Sequence, residues 1–380
     1  MASSTAVTLI FFFFFFIFFI SSTSTFASTT VPGRRVSKIY AFGDSYTDTG
    51  NTKSGPDGPD GFNHVSSPPY GMTFFHKPTN RYSDGRLVID FITEFLSLPY
   101  LTPYLNRDKS DTSHGINFAV AGSTATDQNF FVKQNVTFYV PNASINVQLG
   151  WFKIFLESHG CRRQVINNKM TMSKECTGLM DNALFWVGEI GANDYAYIIG
   201  SSVTRETIQT LAVSRVTGVL KELLEMGAKN VVVEGLPPTG CLPLALTLAP
   251  TDDRDDIGCV GSANKQSYNH NTQLQANLGY LQKQYPQSMI SYADYFAAYR
   301  TVMKNSKKYG FKEPFKSCCG SGAEPYNFDL FAPCGSPSAS KACKHPSQYI
   351  NWDGVHLTEG MYKVVAEMFI HGGYMRPSLF

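Results

Sequence analysis

The feature that most constrains the fold of this chain is a strand-helix-strand unit between residues 184 and 233. A short apolar run at 184–187 precedes a segment in which apolar residues recur at helical spacing from 208 to 226, and a β-branched run follows at 231–233. The spacing predicts a helix that ends at Gly227. Two strands joined through a helix pair in parallel, with a right-handed connection.

The same alternation recurs along the chain. Leu274, Leu278 and Leu281 keep helical spacing and precede an apolar run at 289–292. Further strands are predicted at 39–42 and 116–120, and further helices at 144–159, at 358–370 and from Ser83 or Asp84 to about 98. This alternation predicts an α/β fold, a three-layer α/β/α sandwich whose sheet is mostly parallel. The length of 380 residues allows one large domain or two.

Two long segments lack any sustained period. Residues 47–82 are rich in Gly, Pro, Asn and Asp, and residues 312–349 hold four of the eight cysteines. Loops of this length are usually either functional or disordered. We expect the first to be an ordered loop beside the substrate and the second to be held by disulfide bridges.

The N-terminus has the composition of a targeting segment. An apolar block at 9–20, too short to span a bilayer, is followed by small and polar residues, with Thr25 and Ala27 suited to a signal-peptidase site. We therefore expect residues 1–27 to be a signal peptide, with a signal anchor as the alternative. Residues 28–35 form a short lead-in, and no stable membrane insertion is expected after cleavage.

Cysteines and charge point to an extracellular protein with a small-molecule partner. The eight cysteines lack zinc-type spacing, so disulfides are expected, most simply Cys161 with Cys176 and Cys241 with Cys259, with the last four pairing among themselves. The sequons at Asn135 and Asn142 predict N-glycosylation. A net charge of +2 gives no footprint for nucleic acid. No metal or cofactor motif occurs.

Ser45 is the leading candidate for chemistry. It follows the predicted strand at 39–42 through Gly43, and chemistry in open α/β sheets collects at the carboxyl ends of strands. By itself, a Gly-Asp-Ser sequence is more often a turn or a helix cap. Three later segments change this interpretation.

Four blocks occur in order along the chain: YAFGDS at 40–45, GINFAVAG at 115–122, GEIGAND at 188–194 and DGVH at 353–356. They resemble the four blocks of the SGNH hydrolases, and specifically those of the plant-type GDSL esterase/lipases. PTNRYSDGR at 78–86, GLPPTGC at 235–241 and WDGVH at 352–356 extend the likeness to nearly the whole mature chain. The resemblance implies one SGNH hydrolase domain at 36–380, with a flavodoxin-like sheet. Tyr46 and Ser123 stand where members of the family usually have leucine and alanine. These two differences concern the shape of the substrate pocket and not the reaction class.

A serine nucleophile needs a general base, a group that stabilises the protonated base, and hydrogen-bond donors for the oxyanion. Asp353 and His356 stand three residues apart around Gly354, so a turn can bring the carboxylate to the imidazole. Asp111 and His114 have the same spacing, but they lie in a polar run and do not match the family's last block. The other six histidines are interpreted as structural or exposed.

The resemblance assigns the oxyanion hole to the backbone N–H groups of Ser45 and Gly122 and to the side-chain amide of Asn193. It implies a secreted serine esterase that acts on small-molecule esters, with lipid degradation among the family's activities. An acyltransferase using the same residues is the alternative, and a catalytically silent wall or carbohydrate-binding protein is a third. We expect a monomer outside the cell, with the vacuole as the other compartment.

Overall fold

A mostly parallel sheet forms the centre of the molecule. The computed structural model describes residues 36–54, 64–166 and 169–380. Within these ranges the strands are β1 (Lys38–Phe42), β2 (Gly115–Asn117), β3 (Arg163–Ile166), β4 (Lys169–Met172), β5 (Ala183–Val187), β6 (Asn230–Glu234), β7 (Met289–Ala293), β8 (Glu313–Ser317), β9 (Tyr349–Asn351) and β10 (Met375–Arg376). Six of them form one sheet in the order β10-β7-β6-β5-β1-β2, and only the β10/β7 pair is antiparallel.

The register of this sheet aligns the ends of its central strands. Phe42 of β1 lies opposite Val187 of β5, which in turn lies opposite Val233 of β6. Because the three strands are parallel, the segments that follow them emerge at one edge of the sheet. The turn that carries Ser45 and the segment 188–194 are therefore neighbours.

Helices connect the strands and cover the sheet. Within the described ranges they are α1 (Val88–Phe95), α2 (Gln128–Lys133), α3 (Ile145–Ser158), α4 (Lys174–Met180), α5 (Ala192–Tyr197), α6 (Arg205–Glu225), α7 (Pro243–Leu248), α8 (Gly261–Gln284), α9 (Tyr295–Lys304) and α10 (Glu359–Ile370). The helix predicted at 208–226 is confirmed as α6, and that predicted at 144–159 as α3.

The two faces of the sheet bury separate apolar clusters. Tyr40 and Phe42 pack on one face with apolar residues of α3, α6 and α8. Ile39 and Ala41 pack on the other with residues of α1, α9 and α10. This alternation is the two-residue period of a strand covered on both sides. The predicted single-domain α/β/α sandwich is confirmed.

Two predicted boundaries are wrong for the same physical reason. Helix α1 begins at Val88, because Ser83 and Asp84 have other partners: Ser83 accepts a hydrogen bond from the Gly85 N–H, and Asp84 accepts one from the Glu359 N–H. Strand β2 ends at Asn117, whose side chain accepts the Ala119 N–H and donates to the Thr47 carbonyl, although the Phe118 N–H still bonds to Ala41 of β1. In both places polar side chains near the boundary form hydrogen bonds that a local apolar pattern does not reveal.

Four disulfide bonds cross-link the loop regions of the described chain. Cys161–Cys176 and Cys241–Cys259 pair as expected, and the last four cysteines pair among themselves as Cys318–Cys343 and Cys319–Cys334. The region 312–349 is more regular than predicted, since β8 lies within it and pairs in parallel with β9.

The predicted signal peptide at 1–27 and the lead-in at 28–35 lie outside the described residues. No helix within the ranges given above has the length and apolar character needed to cross a bilayer.

Candidate active site

Ser45 sits on a sharp turn just past the carboxyl end of β1. Gly43 adopts a φ of 145°, and a Cβ there would come within 3.3 Å of the Glu189 carbonyl oxygen. The buried side chain of Gln148 fixes the turn from α3. Its amide accepts the Gly43 N–H at 2.9 Å and donates to the Gly43 carbonyl at 2.8 Å. Ser45 is thus held on rigid backbone, with 6% of its surface exposed.

The segment 353–356 reaches Ser45 from the other end of the chain. His356 Nε2 lies 2.8 Å from Ser45 Oγ, and His356 Nδ1 lies 2.8 Å from Asp353 Oδ2. The turn is tight because Asp353 Oδ1 also accepts the His356 N–H at 2.8 Å. Gly354 has a φ of 100°, and a Cβ there would collide with the Phe328 ring. The structure therefore brings the three residues into one hydrogen-bonded line.

Asp353 is a buried carboxylate with a full set of donors. Its exposed fraction is 1%, and it accepts hydrogen bonds from the imidazole and N–H of His356, the Val355 N–H and the Tyr70 hydroxyl, the last at 2.8 Å. Burial alone would raise the pKa of Asp353, but the attraction of His356 and these hydrogen bonds outweigh it and lower the pKa. The carboxylate is therefore ionised, which fixes His356 Nδ1 as the donor.

Tyrosine rings and disulfide-bonded cysteines pack around the hydrogen-bonded residues Ser45, His356 and Asp353. The Tyr82 ring lies 4.6 Å from the imidazole, and Tyr70 packs edge-on against Trp352 at 5.8 Å. Cys318, Cys319 and Cys334 belong to the same buried cluster as the two tyrosines. The cystine-rich loop therefore supports the residues that orient Asp353.

The segments predicted to supply the oxyanion hole meet beside Ser45. Asn193, in the first turn of α5, donates from Nδ2 to Asp44 Oδ2 at 2.8 Å and to the Ser123 carbonyl at 3.0 Å. Ser123 follows Gly122, which has a φ of 77° and whose carbonyl accepts the Tyr197 hydroxyl. Asn193 thus bonds to the residue before Ser45 and to the residue after Gly122.

The second Asp-x-x-His segment lies elsewhere. His114 is exposed, and its Nδ1 lies 3.3 Å from the Ser37 carbonyl. Asp111 accepts hydrogen bonds from the N–H and hydroxyl of Ser113. Asp111 thus bonds within its own turn, whereas His114 contacts the segment before β1.

Sequence analysis missed several residues that hold the site. Gln148 could have been found, because it is a polar residue on the apolar stripe of α3, beside Ile145 and Leu149. Tyr70 gave no such signal, since it lies in an aperiodic loop 283 positions from Asp353. Within the described part of the chain, His, Cys, Asp and Glu side chains form no group of three suited to a metal ion.

A serine, an imidazole and a buried carboxylate joined by hydrogen bonds on an α/β sheet are typical of ester hydrolases. Comparison with known proteins assigns the chain to that class. The model of the GDSL-like Lipase/Acylhydrolase family matches residues 39–369. GDSL esterase/lipase At3g48460 of Arabidopsis thaliana is 53% identical, over 92% of this chain and 90% of the relative. GDSL esterase/lipase At1g28580 of the same plant is 38% identical, over 93% of this chain and 90% of the relative.

The chain belongs to the plant-type GDSL esterase/lipases of the SGNH superfamily. It is an enzyme of the carboxylic ester hydrolase class.

Proposed function

We propose that this protein is a secreted serine esterase that cleaves carboxylic esters through an acyl-enzyme on Ser45. The observation that carries the proposal is the line from Ser45 Oγ through His356 to Asp353, with 2.8 Å at each junction. Both distances are within hydrogen-bonding range, so Ser45 can pass its proton to His356 while Asp353 holds the imidazole.

In the proposed reaction, Ser45 Oγ attacks the ester carbonyl while His356 Nε2 takes its proton. Asp353 stabilises the resulting imidazolium through Nδ1–H. The carbonyl oxygen becomes an oxyanion and accepts hydrogen bonds from the N–H groups of Ser45 and Gly122. It also accepts one from the Asn193 amide, whose second N–H exchanges the Ser123 carbonyl for the oxyanion while the first stays on Asp44. Each such donor contributes about 3 to 4 kcal/mol to transition-state stabilisation.

When the tetrahedral intermediate collapses, the ester C–O bond breaks and His356 gives its proton to the leaving alcohol. Water then attacks the acyl-Ser45 ester while His356 again accepts a proton. When this intermediate collapses, the bond between the acyl group and Ser45 Oγ breaks, His356 returns the proton to Ser45 Oγ, and the free acid departs. The hydroxyl of a second alcohol could enter in place of water, which would make the enzyme an acyltransferase with the same residues.

Secretion is proposed together with this activity. Four disulfides within the described residues are typical of an oxidising compartment. Asn135 and Asn142 are both exposed, so both are accessible to glycans. We expect an endoglycosidase that removes N-linked glycans to lower the apparent mass of the secreted protein, and the double variant N135Q/N142Q to show no such shift.

The main test is labelling with a fluorophosphonate, which reacts with activated serines. The wild-type protein should be labelled at Ser45 and should hydrolyse acetyl, acyl or hydroxycinnamoyl esters, and Ser45→Ala should do neither while keeping its melting temperature. Ser113→Ala, which changes a surface serine, is the matched control and should be labelled normally. Wild-type protein that is folded but unlabelled and inactive would disprove the proposal. Adding an alcohol acceptor to the assay separates hydrolysis from acyl transfer.

A further inference from the structure

Two buried backbone N–H groups, those of Ser45 and Gly122, have no hydrogen-bond acceptor in the part of the chain that the structure describes. They lie on adjoining loops, since the Val120 N–H donates to the Gly43 carbonyl at 3.3 Å. Buried backbone N–H groups are almost always paired, so two free donors on neighbouring loops indicate a site for a ligand oxygen. The reaction proposed above supplies that oxygen as the oxyanion.

A tight turn presents the Gly122 N–H. The Ser123 N–H donates to the Val120 carbonyl at 3.1 Å, which closes a β-turn at 120–123, here called the oxyanion turn. Gly122, third in the turn, has a φ of 77°, whereas Ala121, second in the turn, keeps a negative φ. That combination defines a type II turn, in which the peptide between the two central residues is flipped relative to a type I turn. The direction of the Gly122 N–H therefore depends on how this turn is held.

A buried carboxylate holds the oxyanion turn through the Ala121 N–H. Asp48 Oδ2 accepts that N–H at 3.0 Å, and Thr52 Oγ1 accepts it at 2.9 Å. The exposed fraction of Asp48 is 0%, so water does not compete for this bond. Both acceptors belong to the segment that follows Ser45, and the oxyanion turn is thereby anchored on the loop of the nucleophile.

The same residue closes the turn that carries the nucleophile. The Asp48 N–H donates to the Asp44 carbonyl at 2.8 Å. The Asp48 carboxylate also accepts the N–H groups of Gly50, Asn51 and Thr52, at 2.8, 2.6 and 2.9 Å. Together with the bond to the oxyanion turn, four backbone donors compensate for the loss of hydration of this carboxylate. One rigid side chain therefore links the two turns.

We propose that Asp48 is a positioning residue that fixes the Gly122 N–H relative to Ser45, so that the N–H groups of both residues converge on one oxyanion. This inference rests on the proposed acyl-enzyme reaction. Asp48 neither touches the substrate nor exchanges a proton. It acts through backbone, because its own N–H closes the turn of the nucleophile and its carboxylate holds the oxyanion turn.

The test compares Asp48→Asn with the wild type in hydrolysis of p-nitrophenyl acetate and in inhibition by an alkyl trifluoromethyl ketone. Asparagine has the same shape, but one end of its amide is a donor, so it cannot accept all four N–H groups. Ser45 Oγ adds to the carbonyl carbon of the ketone and its proton passes to His356, which leaves an oxyanion that mimics the transition state.

We expect kcat of Asp48→Asn to fall about tenfold, less than the roughly 10²- to 10³-fold loss expected when a donor is missing, because the Gly122 N–H is misdirected and not removed. The inhibition constant of the ketone should rise by the same factor, and KM should change less than about twofold. A residue that only stabilises the fold would not produce this separation of kcat from KM.

Asp255→Asn is the matched control. Asp255 accepts the N–H groups of Ile257 and Cys259 at 3.0 Å each, in the loop between α7 and α8. The substitution removes hydrogen bonds of the same kind, so the melting temperature should fall. The values of kcat, KM and the inhibition constant should stay at those of the wild type, which separates loss of stability from loss of oxyanion binding.

Thr52→Val gives a second measurement that does not depend on the folding of Asp48→Asn. It removes the hydroxyl that accepts the Ala121 N–H and leaves the Asp48 carboxylate in place. The loss of one hydrogen bond should lower kcat about threefold and raise the inhibition constant by the same factor.

Wild-type kcat and inhibition in folded Asp48→Asn would overturn the positioning role and leave the esterase proposal standing. A loss of kcat without a matching loss of inhibitor affinity would do the same. If Asp48→Asn does not fold, unchanged kinetics of Thr52→Val overturn the role. A wild-type protein without esterase activity or fluorophosphonate labelling would end both proposals.

Discussion

The segments 111–114 and 353–356 share one spacing, Asp-x-x-His, and differ in everything around it. At 353–356 the aspartate is buried, bonded to its own histidine and to Tyr70. At 111–114 the aspartate is exposed and bonded to Ser113, and the histidine contacts Ser37. Spacing therefore makes the pair possible, whereas burial and the Tyr70 hydroxyl hold the Asp353–His356 pair in one orientation.

The largest expected effect that separates the two segments concerns the histidines. His356→Ala should lower kcat/KM for an ester by about 10⁴-fold or more, because Ser45 loses the group that takes its proton. His114→Ala should change kcat/KM by less than about twofold. Steady-state kinetics on both purified variants makes the comparison. A substantial loss of activity in His114→Ala with normal folding would contradict our assignment.

A smaller effect is expected from the hydroxyl groups bonded to the two aspartates. Tyr70→Phe removes the bond to the Asp353 carboxylate. A hydrogen bond to a buried charged group contributes about 1.5 to 3 kcal/mol, so kcat should fall by about ten- to a hundredfold. Ser113→Ala removes the corresponding bond to Asp111 and should leave kcat unchanged. Both variants should show unchanged KM. Equal kinetics for Tyr70→Phe and wild type would show that Tyr70 serves packing alone.

The smallest effect concerns stability and pH. The folded-state pKa of Asp353 is lowered, so its ionised form contributes stability above the unfolded pKa of about 3.9, and that contribution is lost as pH falls through the folded value. Asp353→Asn should therefore lower the melting temperature by a few degrees at pH 7. The difference from wild type should shrink below about pH 4.

Asp111→Asn supplies the matched control for that measurement. Its carboxylate is exposed, so the melting temperature should stay near that of wild type at both pH values. A constant difference between Asp353→Asn and wild type across pH would mean that the substitution acts through packing and not through charge.

Most of the sheet could be predicted from local pattern. Apolar runs and helical spacing identified β5, α6, β6 and β7, because these elements bury one stripe or both faces and their residues carry that periodicity. Boundaries failed where side chains such as Asp84 and Asn117 bond to distant backbone. Such contacts are long-range, so no local window contains them.

The candidate site likewise contains residues that the local sequence identifies and residues that it does not. Ser45, Asp353 and His356 were found because the chemistry needs those residue types and they stand in recognisable blocks. Tyr70 was missed, because a tyrosine in an aperiodic loop gives no local sign of a buried partner. Only the tertiary structure brings its hydroxyl to Asp353.

The sequence by itself determined the alternation of strands and helices, the residues able to carry serine chemistry and the cysteines available for bridges. The tertiary structure alone decided which Asp-x-x-His segment meets Ser45 and which side chains are buried beside it. The reason is physical: periodicity and residue type are local properties, whereas hydrogen-bond partners and the loss of solvent depend on the packing of residues far apart in the chain.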